Sequence, residues 1–420
     1  MFNKINVFKN RLNASKDGKA VASNFSYLMI MQVSGYIFPL LTLPHLARVI
    51  GVEGFGKIAF AAAIIVWFQT LTDWGFSYTG TRDVARNREN LEKISEIYTN
   101  IFWSKIALSL LSIIGIFIAS ELIPYLKENQ LIIFATFLIV PAKILFADWI
   151  FQAMEKMKFI TIFDFFSKLI FTILIILFVK EKQDFILPPL FTSLGTFIVG
   201  IVSFFIIKDY FNIKIYHPNI KEIIFTIKKS ADIFINNIFP NLYNSFSSIL
   251  LGFWGGSHAN GLFDAGNKFA NIAQQFNNII ARAFFPFLSR KINKHQVYVK
   301  INIISSVILS LLIFLLAEYI IKFFFTESFY EAVIVLKIMS ISTIFLTLNN
   351  IYGVNYMIIK GYERELRKIT VLVSLAGFLI CFPLIYFYGY IGAAITIAVT
   401  RLLLGISVMF KAKNIERSIS

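Results

Sequence analysis

The stretch FDAGNKFANIAQQFNNIIARAFFPF, residues 263–287, decides how this sequence is interpreted. It is apolar enough to cross a membrane, yet charged and amide side chains recur through it at spacings of four and three residues. These side chains are Asp264, Lys268, Asn271, Gln275, Asn278 and Arg282. Because an α-helix makes one turn about every 3.6 residues, these side chains form one stripe along one face of a helix.

The stripe cannot face lipid, because each unsatisfied polar group in hydrocarbon costs several kcal/mol. One interpretation is polar glue between helices, with Asp264 and Lys268 neutralising each other across one helical turn. The other is the wall of a water-filled cavity, which we favour because the stripe runs the whole length of one span. The opposite face is apolar and comprises Ile272, Phe276, Ile279, Ile280 and Ala283.

The composition of the whole chain agrees with a membrane protein. Of 420 residues, 57 % are hydrophobic and 16 % aromatic, with 47 Phe, and the mean hydropathy is +0.71. Long apolar runs exclude a transmembrane barrel, which would show short alternating segments. The single cysteine, Cys381, excludes a disulfide within the chain. No nucleotide-binding loop, metal-ligand cluster or nucleophile motif is recognisable, so we expect no cofactor, no metal and no catalytic residue.

Apolar runs separated by polar turns predict an all-α integral membrane protein of about twelve transmembrane helices. The expected spans are 23–46, 56–79, 97–120, 130–152, 159–180, 186–207, 230–253, 262–287, 300–323, 330–358, 368–388 and 391–410. The longest polar connection lies at the middle of the chain. The expected segments are an N-terminal cytoplasmic segment 1–22, a six-helix lobe 23–207, a cytoplasmic linker 208–229, a second six-helix lobe 230–410 and a cytoplasmic tail 411–420.

Basic residues alternate between successive connections. One set of alternate connections and chain ends holds most Lys and Arg, including Arg88, Lys158, Lys221 and Arg364, and the other set holds few. Since Lys and Arg collect on the cytoplasmic side of a membrane, both termini are expected in the cytoplasm. Most of the net charge of +16 is then a topology signal and not a nucleic-acid footprint.

The two halves of the chain are weakly similar. An offset of 205 residues places Gly51 on Gly256 and Gly56 on Gly261. It also places Asp73 on Asn278 in the stripe. Since each half holds an even number of spans, the repeats would share one orientation and form two pseudo-symmetric lobes around a central cavity.

Charge within the spans is biased towards lysine and arginine. Such residues often mark a substrate pathway, although lysines near an interface can also snorkel to water. The candidate substrate-binding or cavity residues are Lys143, Lys268, Asn271, Gln275, Asn278, Arg282, Lys337, Asp73 and Asp264. A second set of candidate cavity charges comprises Lys168, Asp148, Asp232 and Arg401.

Several short motifs resemble those of a known family. They are Pro39–Leu46, Gly51–Ala61, Asp73–Phe76, Phe151–Lys158, Ala283–Arg290, Asn350–Met357 and Gly389–Thr396. In this order they resemble the bacterial O-antigen flippases of the Wzx type, within the multidrug/oligosaccharidyl-lipid/polysaccharide exporter superfamily. The resemblance covers about residues 23–410, and FQAMEKMK at 151–158 is its most specific motif.

The resemblance implies a two-lobed bundle that works by alternating access in the bacterial inner membrane. It implies that undecaprenyl-pyrophosphate-linked oligosaccharide moves from the cytoplasmic to the periplasmic leaflet. Buried Lys and Arg suit a pyrophosphate, and amides suit sugars. Besides this substrate and membrane lipid, the expected partners are an O-antigen polymerase and a chain-length regulator, with no nucleic acid.

Three other functions remain open from the sequence. A multidrug exporter of the related branch is disfavoured, because cavities for cationic drugs favour acids. A membrane-embedded polysaccharide polymerase or glycosyltransferase usually carries one large external loop, and none is visible. A non-transporting scaffold of a polysaccharide assembly complex would not require the continuous polar stripe.

Overall fold

Helices joined by short turns form the chain in the computed structural model, which describes residues 16–290, 292 and 295–419. No β-strand occurs within those residues, which confirms the predicted all-α class. Most of the predicted N-terminal segment, as far as residue 15, lies outside the described residues.

The helices follow the predicted spans with local breaks. In the first half they are α1 Lys16–Val49, α2 Gly51–Asp73, α3 Phe76–Arg86, α4 Leu91–Leu122, α5 Pro124–Glu128, α6 Gln130–Phe137, α7 Ile139–Leu145, α8 Asp148–Ala153, α9 Met157–Phe178 and α10 Leu187–Phe205. In the second half they are α11 Ile220–Ile238, α12 Ser245–Arg290, α13 His295–Phe324, α14 Ala332–Leu348 and α15 Glu363–Ile419. The predicted fourth span is thus made of several short helices.

Two of the longest helices are each interrupted by a glycine. Gly256 in α12 has φ 71°, and Gly389 in α15 has φ 54°. A residue with a Cβ is strained at such angles, so glycine lets the chain reverse there without a loop. Each of these elements therefore supplies two helices, 245–255 and 257–290 from α12, and 363–388 and 390–419 from α15.

Short stretches of unusual winding extend three of the helices. A π-helix, Ile206–Tyr210, continues α10, and a longer one, Asn349–Ile358, continues α14. A 3₁₀ turn, Phe239–Leu242, follows α11. Because a π-turn adds a residue to each helical turn, it rotates the side chains that follow it and is frequent at functional sites.

Nine segments of the described residues are long and apolar enough to cross a membrane. The last, Glu363–Arg417, contains both arms of α15. The helices α11 and α12 are not among the nine, because their polar residues lower the hydropathy of every long window. The polar character noticed in residues 263–287 thus distinguishes the second half of the chain from the first.

The chain divides into two compact units, which do not coincide with its two halves. Unit 1 comprises residues 16–42 of the described chain together with Phe68–Lys180 and Ile186–Phe234. Unit 2 comprises Leu43–Trp67, Glu181–Phe185 and the described residues from Ile235 onward. Residues 43–67, although early in the chain, pack with the second half. The division into lobes 23–207 and 230–410 remains a prediction about the sequence repeats.

Unit 1 has an aromatic core that fixes one of the quoted motifs. Phe151, fully buried, packs against the rings of Phe163 and Phe211 at centroid distances of 5.8 and 5.6 Å. The chain then turns at Glu155, which has φ 56°, and the amide of Lys156 donates to the Phe151 carbonyl at 2.8 Å. The FQAMEKMK motif therefore anchors one aromatic residue and turns the chain directly after it.

Unit 2 has a core of aliphatic and small residues between α12, α14 and α15. It includes Leu251, Ala270, Met339 and Ile397, all buried. Large apolar side chains outside this core are exposed along α13, namely Ile304, Ile308, Leu311, Leu315 and Phe323. In a membrane protein such exposed side chains are the lipid-facing surface.

Candidate functional site

A break between α2 and α3 places Asp73 at a helix end inside unit 1. Trp74, at φ 46°, ends α2, and its ring stacks on Phe234 at a centroid distance of 3.9 Å. The Trp74 Nε1 also donates to the carbonyl of Ile227 at 2.9 Å. These contacts fix the backbone beside Asp73 and so restrict where its carboxylate can point.

The Asp73 carboxylate forms an ion pair that joins two helices. Lys105 Nζ of α4 lies 2.9 Å from Asp73 Oδ1, and Ser77 Oγ donates to the same oxygen at 2.7 Å. The Lys105 side chain is 9 % exposed, against 35 % for Asp73. A pair this shielded is tolerated only when further hydrogen bonds satisfy it, as Ser77 does here.

A second lysine lies beside this pair without a carboxylate bonded to it. Lys143 Nζ of α7 donates to Gln69 Oε1 of α2 at 3.2 Å. Asp148, the first residue of α8, lies within electrostatic range of Lys105 and Lys143. The Lys143 side chain is exposed to solvent, and the charged groups within electrostatic range of it are Asp73, Lys105 and Asp148.

In unit 2 the predicted stripe lies along the arm 257–290 of α12. Asn271 and Arg282 are exposed, and Asp264, Lys268, Gln275 and Asn278 are half-buried. The predicted apolar face is only partly shielded, and Phe276 is 52 % exposed. A third face is the one fully packed, and it comprises Ala265, Ala270, Ala273, Asn277 and Ala281. The stripe is therefore an accessible polar surface on a helix whose tightest packing is made by small residues.

The charges in the N-terminal part of the stripe neutralise each other. Asp264 and Lys268 form an ion pair one helical turn apart, as the glue interpretation expects. The Lys268 ammonium also lies 5.1 Å from the centroid of the Phe55 ring of α2. Because Lys268 has both a carboxylate and an aromatic face as partners, it offers little free positive charge.

Hydrogen bonds join amide side chains of two helices in the C-terminal part of the stripe. Asn350 Nδ2 donates to Asn278 Oδ1 at 2.7 Å, and Asn278 Nδ2 donates to Gln275 Oε1 at 3.2 Å. Asn350 belongs to the π-helix Asn349–Ile358. Asn350 is not among the site residues predicted from the sequence, although it opens the quoted motif Asn350–Met357. The π-helix directs Asn350 towards the stripe, and a π-helix cannot be recognised from the spacing of apolar residues in the sequence.

A buried amide cluster supports the stripe from behind. Asn355 Nδ2 donates to the Ala281 carbonyl at 3.0 Å and to the Tyr298 hydroxyl at 2.6 Å. Asn302 Nδ2 donates to the same hydroxyl at 2.8 Å. All three side chains are fully buried, so these bonds hold α12, α13 and the π-helix in one arrangement.

The remaining arginines differ in their surroundings. Arg282 is exposed, and no acid in the described part of the chain pairs with it. Arg401 is 5 % exposed and donates from Nη1 to Ser342 Oγ at 3.0 Å, while its Nε has no partner among the described residues. Arg401 is therefore a buried charge in the unit 2 core, and Arg282 is an accessible one.

Three other predicted residues lie apart from both groups. Lys168 pairs with Asp164 within α9. The Lys337 ammonium lies 5.6 Å from the centroid of the Phe314 ring on α13. Asp232 is exposed on α11 and has an interaction partner.

Comparison with known proteins links this chain to polysaccharide biosynthesis. Residues 21–292 match the model of a family described as polysaccharide biosynthesis protein. This match covers more than half of the chain. The chain belongs to that family. Proteins named "Putative O-antigen transporter" from Escherichia coli and Shigella dysenteriae are 29 % and 28 % identical to it, over 93 % and 94 % of this chain and 96 % and 99 % of theirs.

The fold is also shared with solved membrane transporters. The lipid II flippase MurJ in an inward closed conformation superposes with a TM-score of 0.76 at 16 % identity, covering 93 % of this chain and 87 % of that one. An outward-facing multidrug resistance MATE family transporter of the MOP superfamily superposes at 0.58 and 12 % identity, covering 96 % of each chain. The predicted two-lobed helical transporter fold is confirmed. The chain therefore shares the fold of these solved transporters.

Proposed function

We propose that this transporter flips undecaprenyl-pyrophosphate-linked O-antigen, or similar polysaccharide repeat units, across the bacterial inner membrane. The direction is from the cytoplasmic to the periplasmic leaflet. Membership of the polysaccharide biosynthesis family supports the proposal, as do the relatives named for O-antigen transport.

One observation carries the proposal: among the predicted cavity residues, each unit has one exposed cation without a bonded carboxylate. In unit 1 it is Lys143, whose hydrogen-bond partner is the neutral amide of Gln69. In unit 2 it is Arg282. A pyrophosphate has several acceptor oxygens and a high negative charge, and both ammonium and guanidinium groups bind such oxygens strongly.

The amide stripe suits the sugar part of the same substrate. Sugar hydroxyls both donate and accept hydrogen bonds, as amides do. Asn271, Gln275 and Asn278 present such groups along one helix, with Asn350 beside them. The polyprenyl chain would remain in lipid while the head group passes.

We also propose that the two sequence repeats, residues 23–207 and 230–410, alternate between two arrangements that open the cavity to opposite sides. Solved structures that share this fold are named inward closed and outward-facing, which supports this view. A polymerase and a chain-length regulator are the proposed partners that receive the flipped unit.

Export in a flippase-deficient strain tests the proposal. The wild-type gene should restore long polysaccharide on the cell surface, and Lys143→Ala should reduce it strongly at unchanged membrane abundance. Lys322→Ala is the matched control, because this lysine pairs with Glu318 at the exposed end of α13. Full export by Lys143→Ala would contradict a role for this cation in substrate binding.

Reconstitution separates the proposed substrate from the rival one. Purified transporter in liposomes should move a fluorescent undecaprenyl-pyrophosphate-linked sugar to the opposite leaflet, where a membrane-impermeant quencher detects it. Movement of cationic dyes without movement of the lipid-linked sugar would favour the multidrug exporter.

A further inference from the structure

A reciprocal helix contact joins the two sequence repeats within unit 2. The offset of 205 residues that relates the repeats places Val52 on Ser257, between the glycine pairs Gly51/Gly256 and Gly56/Gly261. Gly51 has φ 65° and Gly256 has φ 71°, so both repeats turn in the same way before the helix that follows.

The contact itself is backbone against backbone. A Cβ atom placed on Gly56 would lie 1.6 Å from the carbonyl oxygen of Ser257. A Cβ atom placed on Gly261 would lie 2.1 Å from the carbonyl oxygen of Val52. The two contacts are therefore reciprocal. Gly56 of α2 packs on Ser257 of α12, and the equivalent Gly261 of α12 packs on Val52 of α2, which is the equivalent of Ser257. Only hydrogen fits at either position without movement of a helix.

Aromatic and glycine packing continues the contact on one side. A Cβ atom on Gly252 would lie 2.3 Å from the Phe60 ring, and Phe60 packs edge to face on Phe253 with centroids 5.6 Å apart. Residues 43–67 belong to unit 2 and to the first sequence repeat. The crossing of α2 with α12 is therefore the place where one repeat packs into the body of the other.

The charge pattern assigns this crossing to one side of the membrane. The far end of α2 and α3 leads to Arg82, Arg86 and Arg88, and the far end of α12 leads to Arg290. These basic ends are the predicted cytoplasmic ends. The predicted orientation therefore places the crossing at Gly56 and Gly261 toward the periplasm.

We propose that this glycine crossing is the periplasmic gate of the transporter in its closed state. The inference rests on the alternating access proposed above, because opening toward the periplasm then requires the two repeats to separate at this end. Backbone contacts of this kind are fully formed when the helices touch and are lost when they part, which suits a contact with two discrete states.

Thiol labelling tests the gate directly. In a Cys381→Ala background, a cysteine replacing Asn271 on the stripe reports access from the periplasm to a membrane-impermeant reagent. Gly56→Ala and Gly261→Ala should each raise the labelling rate roughly tenfold, because the added methyl overpacks the closed state alone. Since both methyls act on one crossing, the double variant should show less than the product of the two effects.

A matched control separates a gate from ordinary packing. A Cβ atom on Gly405 would lie 2.2 Å from the Phe345 carbonyl, an equally close contact that joins two helices of the second repeat only. Gly405→Ala should leave the labelling rate unchanged, whatever it does to abundance. Equal labelling rates for Gly56→Ala and Gly405→Ala would overturn the gate.

A milder variant keeps the test usable if Gly56→Ala does not accumulate. At Gly252 the added methyl meets the movable Phe60 ring, so Gly252→Ala should give a smaller rise in labelling at normal abundance. No rise in any well-expressed crossing variant would also overturn the gate. Labelling does not involve the substrate, so the gate could hold while the lipid-linked oligosaccharide assignment fails, or the reverse.

Discussion

The charge cluster of unit 1 and the amide stripe of unit 2 are built in different ways. The cluster joins Asp73 to Lys105, 32 residues away, and Lys143 to Gln69, 74 residues away. The stripe instead belongs to one helix, with partners three or four residues apart such as Asp264 and Lys268. A surface made by one helix can be foreseen from periodicity, whereas a cluster made by several helices depends on how they pack.

The two groups also differ in the strength of what they can bind. Ionised groups that are partly shielded from water interact strongly with an oppositely charged ligand, and removing one partner of such a pair is costly. Neutral amides contribute about 0.5–1.5 kcal/mol each and can exchange one partner for another. We therefore expect substitutions of charged residues to have larger effects than substitutions of stripe amides.

The largest effect is expected at Arg282, the accessible cation of the stripe helix. Arg282→Ala should nearly abolish export, since loss of one charge contact to a bound anion costs about 2–5 kcal/mol. Arg282→Lys should be intermediate, because it keeps the charge and loses the planar fork. Export and membrane abundance are measured together. Loss of both would show that Arg282 supports the fold, and this would break the comparison.

A somewhat smaller effect is expected when the ion pair of unit 1 is broken. Lys105→Ala leaves the Asp73 carboxylate without its partner, and because Asp73 is about a third exposed we expect a loss of about 2–3 kcal/mol of stability. Thermal unfolding in detergent measures it. The double variant Asp73→Asn/Lys105→Leu should recover part of the loss, and a double variant as unstable as Lys105→Ala would contradict the pairing.

A modest effect is expected at Asn350, which reaches the stripe from the π-helix. Asn350→Ala removes one hydrogen bond to Asn278 and should lower export by roughly fivefold, from a loss of about 1 kcal/mol. Asn271→Ala, on the same surface and exposed, is the matched substitution. If Asn350→Ala abolished export as Arg282→Ala does, amides and charges would not differ as proposed.

The smallest effect is expected at the exposed pair Arg88–Glu155, which lies outside both groups. The hydrogen bond from Arg88, 2.8 Å long, lowers the pKa of Glu155. Its stabilisation is present above the ordinary carboxyl pKa and is lost as pH falls through the lowered folded value. Glu155→Gln should therefore reduce stability by about 0.5 kcal/mol near neutral pH, and the difference should vanish in acid. Thermal unfolding at both pH values checks this, and a constant difference would contradict it.

Much of the fold could be predicted because it is encoded locally. Apolar runs predict the helices, and the spacing of four residues between Asp264 and Lys268 predicts their ion pair. The glycine pairs Gly51/Gly256 and Gly56/Gly261 gave a repeat whose members share backbone angles and one contact.

The remaining features could not be predicted, because they depend on contacts between helices or on breaks in regular helical geometry. Lys105 lies within the predicted span 97–120, but its pairing with Asp73 depends on how α2 and α4 pack. Asn350 reaches the stripe through a π-turn, and Trp74 breaks its helix at an angle rare for a bulky residue. The packing of residues 43–67 in unit 2 likewise follows from tertiary contacts and not from their position in the chain.

The buried Arg401 has a consequence for how the protein enters the membrane. An arginine at the centre of a helix opposes its insertion from the translocon by about 2.5–3.5 kcal/mol. Its partner Ser342 is synthesised 59 residues earlier and is already available when the last helix emerges. The turn at Gly389 is short enough for both arms of α15 to leave the translocon as a hairpin. We expect truncation of α14 to leave this last segment poorly inserted, because its arginine would then enter lipid alone.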